Sequence, residues 1–98
     1  MPAYLIARVE ISDPERYSSY TAVSPGVVEK FGGRFVVRGG DDVTLEGSES
    51  GARWIVVEFS SVETARKFYD SPDYTAARAL RAGAADAEFV VLEGYVPV

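Results

Sequence analysis

The chain has no histidine, cysteine, asparagine or glutamine, and its lysines are limited to Lys30 and Lys67. Without histidine or cysteine there is no Ser-His-Asp or Cys-His nucleophile system, no histidine-ligated haem and none of the usual zinc sites. Acid–base chemistry must then fall to aspartate, glutamate, tyrosine or a lysine. No clustered carboxylate spacing calls for a magnesium site, so no cofactor or metal is expected. The lack of cysteine also removes disulfides and fits a reducing cytoplasm. No apolar run approaches the ~20 residues of a membrane span. A strand pattern begins at Ala3, so no signal peptide is expected. The net charge of −5 argues against a nucleic-acid surface and against anionic membranes.

What is present is an ordinary globular composition, 47% hydrophobic and 26% charged over 98 residues. That suits one domain over residues 1–98, able to bury roughly 65% of the surface its unfolded chain exposes. The stretch from Arg53 to Gly83 organises the rest. Arg53 to Phe59 is apolar and β-branched, a buried strand. Ser60 and Glu63 stand at capping-box spacing ahead of a helix carrying Val62, Ala65, Phe68 and Tyr69 on one face. Asp70-Ser71-Pro72 stops that helix and starts another, with Ser71 as N-cap and Pro72 at the first helical position. Gly83 is placed to end it.

Before this stretch, Ala3 to Ile11 reads as a strand and Asp13-Pro14 as a helix start. Tyr17, Tyr20, Val27, Val28 and Phe31 share one face of that helix, and Ser24-Pro25 should kink or split it. Arg34 to Arg38 reads as a second strand, interrupted by Gly39-Gly40-Asp41-Asp42 and resumed at Val43 to Glu46, with a bulge or bend between. Gly47 to Gly51 is a hairpin turn. Glu88 to Val96 is the last strand.

The order is βαββαβ, with the second helical unit split in two. Right-handed crossovers then give a four-stranded antiparallel sheet, spatial order 4-1-3-2, with helices on one face. Leu5, Val9, Phe35, Ile55, Val57, Phe59, Phe89 and Val91 form the register expected beneath the helices. The opposite register holds Tyr4, Ile6, Val36, Trp54, Val56, Val90 and Leu92, too much apolar surface to leave wet. A homodimer packed sheet against sheet, with Trp54 and Val56 near its centre, is the simplest cover. Arg8, Glu10, Arg34, Arg38 and Glu58 share this register by simple alternation and would pair around the apolar patch.

The runs AYLIARV, DPERYSSY, GGRFVVRGG, LEG, FYDSPDYTAARALR and FVVLEG also carry a resemblance. They resemble the domain-of-unknown-function family numbered 1330, within the dimeric α+β barrels alongside the antibiotic-biosynthesis monooxygenases and YciI-like proteins. The resemblance spans nearly the whole chain. It implies an α+β, ferredoxin-like protomer and a homodimer, as the pattern does. Relatives in the superfamily include cofactor-free monooxygenases, isomerases and haem enzymes, and shared fold does not choose among them.

GGRFVVRGG is not a phosphate loop, since it lacks G-K-[ST] and leads into a strand. Arg38, at the end of this run, is the first candidate to hold a carboxylate or enolate, through its bidentate fork. Its plainer reading is an inter-subunit ion pair with Glu58 or Glu10. Tyr17 and Tyr69 are the candidate proton carriers, against a plainer role as core residues with hydroxyls at the rim. Trp54 could stack on a planar ligand, or anchor the dimer. Ser71 could bind an anion at its helix N-terminus, but Asp70 and Asp73 flank it and a cap is the simpler role. Three readings follow: a cofactor-independent small-molecule enzyme of oxygenase or isomerase type, a non-catalytic or regulatory dimer that binds a small ligand, or a small stable dimer with a filled apolar core and no pocket.

Overall fold

The computed structural model describes residues 1–97. Strand β1 (Ala3–Ile11) lies between β3 (Arg53–Phe59) and β4 (Ala85–Glu93), and β2 (Arg34–Arg38) flanks β3, giving the order β2-β3-β1-β4. Every pairing is antiparallel. Helices α1 (Pro14–Lys30), α2 (Val62–Asp70) and α3 (Pro72–Ala79) supply the second layer. This is the ferredoxin-like arrangement, and the strand order is the expected one.

Alternation decides which side is buried. Leu5, Ala7 and Val9 of β1 and Val57 and Phe59 of β3 are in the core, with Phe35, Ile55, Phe89 and Val91 packed partly against it. The helices add Tyr17, Tyr20, Val27, Val28, Ala65, Phe68, Tyr74 and Ala77. Aromatic rings bind the layers together. Phe68 sits 5.2 Å from Phe59 and 4.6 Å from Tyr74 between ring centroids, within the range of favourable offset contacts.

Local signals explain the helix starts. The Asp13 carboxylate accepts from the Arg16 N–H at 3.1 Å and Ser71 accepts from Tyr74 N–H at 3.1 Å, each with proline at the first helical position. Gly32 takes φ +75° just past α1, and Gly83 φ +75° after α3, where a side chain would be strained. Gly33 has a different role: a Cβ there would lie 2.8 Å from atoms of both Phe59 and Val28, so the chain passes tight against the core.

Five expectations need correction. α1 is not split at Pro25: it is one continuous helix with the proline inside it, which removes one N–H, while the buried face from Tyr17 through Val27 and Val28 holds both halves to the sheet. The cap of α2 is Ser61, which accepts from Thr64 N–H at 3.0 Å, rather than Ser60. Glu63 instead pairs with Lys67 at 3.2 Å, one turn on. β2 does not resume at Val43 to Glu46: residues 39–52 form no strand, and residues 39–49 are exposed throughout. The expected turn at Gly47 to Gly51 is therefore part of one long connection. β4 runs Ala85–Glu93, earlier than Glu88 to Val96, because its partners are fixed by β1, where Ile11 faces Ala85 and Ala3 faces Glu93.

The fifth correction concerns β2. Phe35 pairs with Val57, but Val37 pairs with Val56 and Arg38 with Ile55, so a bulge falls at Val36. An extra residue reverses the facing of everything after it. Arg38 therefore joins the register of Ile55 on the helix-covered side, and Val36 and Val37 both go with the open face.

Candidate functional site

Under α1, beside the end of β2, lies a narrow cavity of about 40 Å³ lined by Tyr17, Tyr20, Ser24, Arg38 and Arg53 over an apolar floor. Such a space holds about one water. α1 supplies Tyr17, Tyr20 and Ser24 at helical spacing, and all three are buried. Arg53 opens β3 in phase with Ile55, Val57 and Phe59, which turns it beneath the helices. Gly39 lets it pass: with φ +66°, its missing Cβ would sit 2.8 Å from the Arg53 guanidinium carbon.

Arg38 lies over the Phe35 ring, 4.7 Å from its centroid. The glutamates expected as its partners are engaged elsewhere. Glu58 pairs with Arg34 at 2.7 Å and accepts from the Tyr4 hydroxyl at 3.2 Å, and Glu10 pairs with Arg8 at 3.0 Å. The hydrogen bond from Arg34 holds the Glu58 carboxyl below its ordinary value.

Deeper in, the Tyr20 and Tyr74 hydroxyls are 2.8 Å apart. Arg81 stands over two rings, 5.2 Å from Tyr20 and 5.1 Å from Phe89, and approaches the Tyr74 hydroxyl at 3.5 Å. Burial raises the pKa of Tyr17, with the Arg53 and Arg81 charges opposing it. Burial and the adjacent Tyr74 hydroxyl push Tyr20 up much further. These phenols stay protonated at neutral pH and act as hydrogen-bond donors and acceptors rather than bases. The Nε atoms of Arg53 and Arg81 are buried with no hydrogen-bond partner. An unmet buried donor costs about 1–3 kcal/mol; at Arg53, which lines this cavity, an anion or water there would offset that cost.

On the other side of Leu5 and Phe89 is a wider cleft between α2, α3 and β4, about 770 Å³ in volume. Tyr69 lines it, and Arg78 both stacks on the Tyr69 ring at 5.2 Å and donates to its hydroxyl. The structure thus separates the sequence candidates. Arg38 and Tyr17 share the inner cavity, Tyr69 lies in the outer cleft, and Trp54 is on the open sheet face, 38% exposed and opposite Arg8. Ser71 is buried, accepting from Tyr74 N–H and donating to the Phe68 carbonyl at 2.7 Å. Its hydroxyl is used by the chain itself.

Arg53 and Arg81 were not among those candidates, though the sequence held a signal for each. Arg53 is in phase with the buried residues of β3. Arg81 follows Tyr74 and Ala77 at steps of three and four, the spacing of one helical stripe.

Residues 2–95 match the model of a family described as a domain of unknown function, DUF1330. The chain belongs to the DUF1330 family. No curated protein matches it. Among solved structures, it is similar to the RPA0582 protein of unknown function from Rhodopseudomonas palustris, at 24% identity and TM-score 0.75, covering 98% of this chain and 84% of that one. It is also similar to a dimeric ferredoxin-like protein of unknown function from Jannaschia sp. CCS1, at 15% identity and TM-score 0.72, covering 96% and 100%. A third likeness is to SnoaB, a cofactor-independent oxygenase from Streptomyces nogalater, at 11% identity and TM-score 0.69, covering 99% and 96%. At these identities the structural likenesses establish the ferredoxin-like fold of this DUF1330 protein. They leave its chemistry to its own residues.

Proposed function

We propose that this DUF1330 protein is a cytoplasmic homodimer, joined through its open sheet face, that acts as a cofactor-independent oxygenase-type enzyme on a small acidic molecule. The observation carrying the chemistry is the group formed by Tyr17 and Tyr20 with Arg53, which all line the inner cavity. It joins two protonated phenols to a guanidinium group whose Nε lacks a partner. Such a group stabilises an enolate or phenolate without supplying a base. An isomerase must carry a proton between two substrate atoms, and raised phenol pKa values suit that poorly. A substrate that is already acidic gives its C–H proton to water; its carbanion, held beside dioxygen, adds it to form C–OO⁻, and the peroxide takes a proton back from water to end as C–OOH. SnoaB is described as an oxygenase of the cofactor-independent kind, which supports the reaction class. Arg38 would take the substrate's acidic group at the cavity mouth.

The dimer reading rests on the open face, where Val36, Trp54, Val90 and Leu92 are each at least 38% exposed. Structural neighbours described as dimeric support it. The alternative, a non-catalytic small-ligand dimer, is favoured by the outer cleft, whose volume of about 770 Å³ accepts a small molecule as it stands, whereas the inner cavity of about 40 Å³ admits a substrate only if α1 or the residues after Arg38 move.

Oxygen uptake with an acidic 1,3-diketone tests the reaction. The expected result is uptake above the buffer rate, lowered at least tenfold by Arg53→Gln and raised in KM by Arg38→Lys. No uptake above buffer across a panel of such diketones, together with saturable binding, establishes the binding reading instead.

A further inference from the structure

Three arginines open on the outer cleft with almost nothing to neutralise them. Arg66, Arg78 and Arg81 line it, and among the described residues Asp70 is the one carboxylate on its wall. None of the three guanidinium groups forms an ion pair with a carboxylate among the described residues. This local excess of positive charge stands against a net charge of −5 for the chain.

Aromatic rings, not carboxylates, position two of the arginines. Arg78 lies over Tyr69 and donates to its hydroxyl. Arg81 lies over Tyr20 and Phe89, with its Nε buried and unpartnered. Stacking fixes a guanidinium in place while leaving its charge and outward N–H groups free for a planar anion. Ala85, Ala87 and Phe89 give the same cleft an apolar side. Its volume, about 770 Å³, is in the usual range for small-molecule pockets, roughly 300–1,000 Å³.

We propose that this cleft is a binding site for a small organic anion, a carboxylate or phosphate ester carried on a flat apolar body. The anionic group sits between Arg78 and Arg81, and the apolar body rests on Ala85, Ala87 and Phe89. The site does not depend on catalysis in the inner cavity, because binding alone reads it.

The experiment is titration calorimetry of the intact protein with 1-naphthoate, 1-naphthyl phosphate and the uncharged 1-naphthalenemethanol. At least one anion should bind about tenfold or more tightly than the alcohol, the difference expected of one charge-assisted contact, and which anion wins separates carboxylate from phosphate. Added salt should weaken the anion and spare the alcohol. Arg78→Gln, at an exposed position, should cost the anion about tenfold in affinity and leave the alcohol unchanged. Arg81→Gln should do the same or more, and Arg78→Gln keeps the test valid if that core-stacked variant misfolds. Four results would each overturn the site: neither anion binding, alcohol and anions binding alike, anion binding untouched by Arg78→Gln, or anion binding only after Asp41, Asp42, Glu46 and Glu49 are neutralised. The last would assign the arginines to the acidic connection of a second copy.

Discussion

The two faces of the sheet are built from the same kinds of residue and meet opposite fates. On the helix side Leu5, Val9, Val57 and Phe59 are at most 3% exposed, whereas Val36, Val90 and Leu92 on the other side are about half exposed. The first set comes from the central strands β1 and β3 and the second from the edge strands β2 and β4, but the alternation also holds within one strand: in β3, Val57 is 3% exposed and Trp54 38%. Apolar alternation therefore says that two faces are to be covered. It does not say what covers them. The helices of the same chain cover one, and the proposed second copy covers the other. Charge follows the same division: ion pairs Arg34–Glu58 and Arg8–Glu10 lie on the open face, while Arg38 and Arg81 on the helix side stack on aromatic rings.

The sharpest test of that contrast is a truncation on the covered side. Phe59→Ala removes a ring that is 1% exposed and packed against Phe68, and should cost about 3–5 kcal/mol in denaturant-induced unfolding. A loss near that for an exposed residue would mean the two faces do not differ as described. Next is Val56→Asp on the open face. It should convert the dimer to monomers in sedimentation velocity while leaving the far-ultraviolet circular dichroism intact; a well-behaved monomer already in the wild type at micromolar concentration defeats the dimer.

Smaller is Tyr20→Phe, which strips a buried hydroxyl from its 2.8 Å contact with Tyr74 and should cost about 1–2 kcal/mol. A pH signature accompanies it. Because burial raises the Tyr20 pKa above 10.0, the unfolded chain loses that proton first as pH climbs, so its stabilising effect is full below 10.0 and falls above it. Tyr20→Phe should flatten that alkaline decline in thermal melts, and an unchanged decline would place its cause elsewhere.

The smallest effect belongs to the open-face ion pair. Glu58 is held below its ordinary value of 4.5 by Arg34, so any stabilisation is present above that value and disappears as pH falls through the lowered one. In melts at low ionic strength, Arg34→Ala should lie slightly below wild type near neutrality and converge with it in acid. Exposed pairs contribute little, and a large neutral-pH loss would show that this pair is not the simple surface contact it resembles.

Much of the fold was legible because its causes are local. Asp13-Pro14 and Ser71-Pro72 carry both a cap and a preset φ within two residues, and the helices begin there. Ser60 and Ser61 were harder to separate, since either can cap and only the path of the chain out of β3 selects one. Of the site, Tyr17 and Arg38 were legible as types, but their meeting in one cavity was not. Arg53 and Arg81 lay in phase with buried residues, though a charge in that phase is ordinarily rejected as core, since its burial is costly without partners.

By itself the sequence determined the order of elements, the strand alternation, the two helix starts at Asp13 and Ser71, and the exclusion of histidine and cysteine chemistry. The first three depend on neighbouring residues within a turn or two, and the last on composition alone. Tertiary structure alone decided the side to which Arg38 turns, because the bulge at Val36 arises from how β2 registers against β3 rather than from anything in RFVVR. It also decided that residues 39–52 join no strand, that Pro25 is tolerated inside α1, and that Arg81 reaches the tyrosines of α1. Those outcomes depend on partners tens of residues away, whose positions a local pattern does not encode.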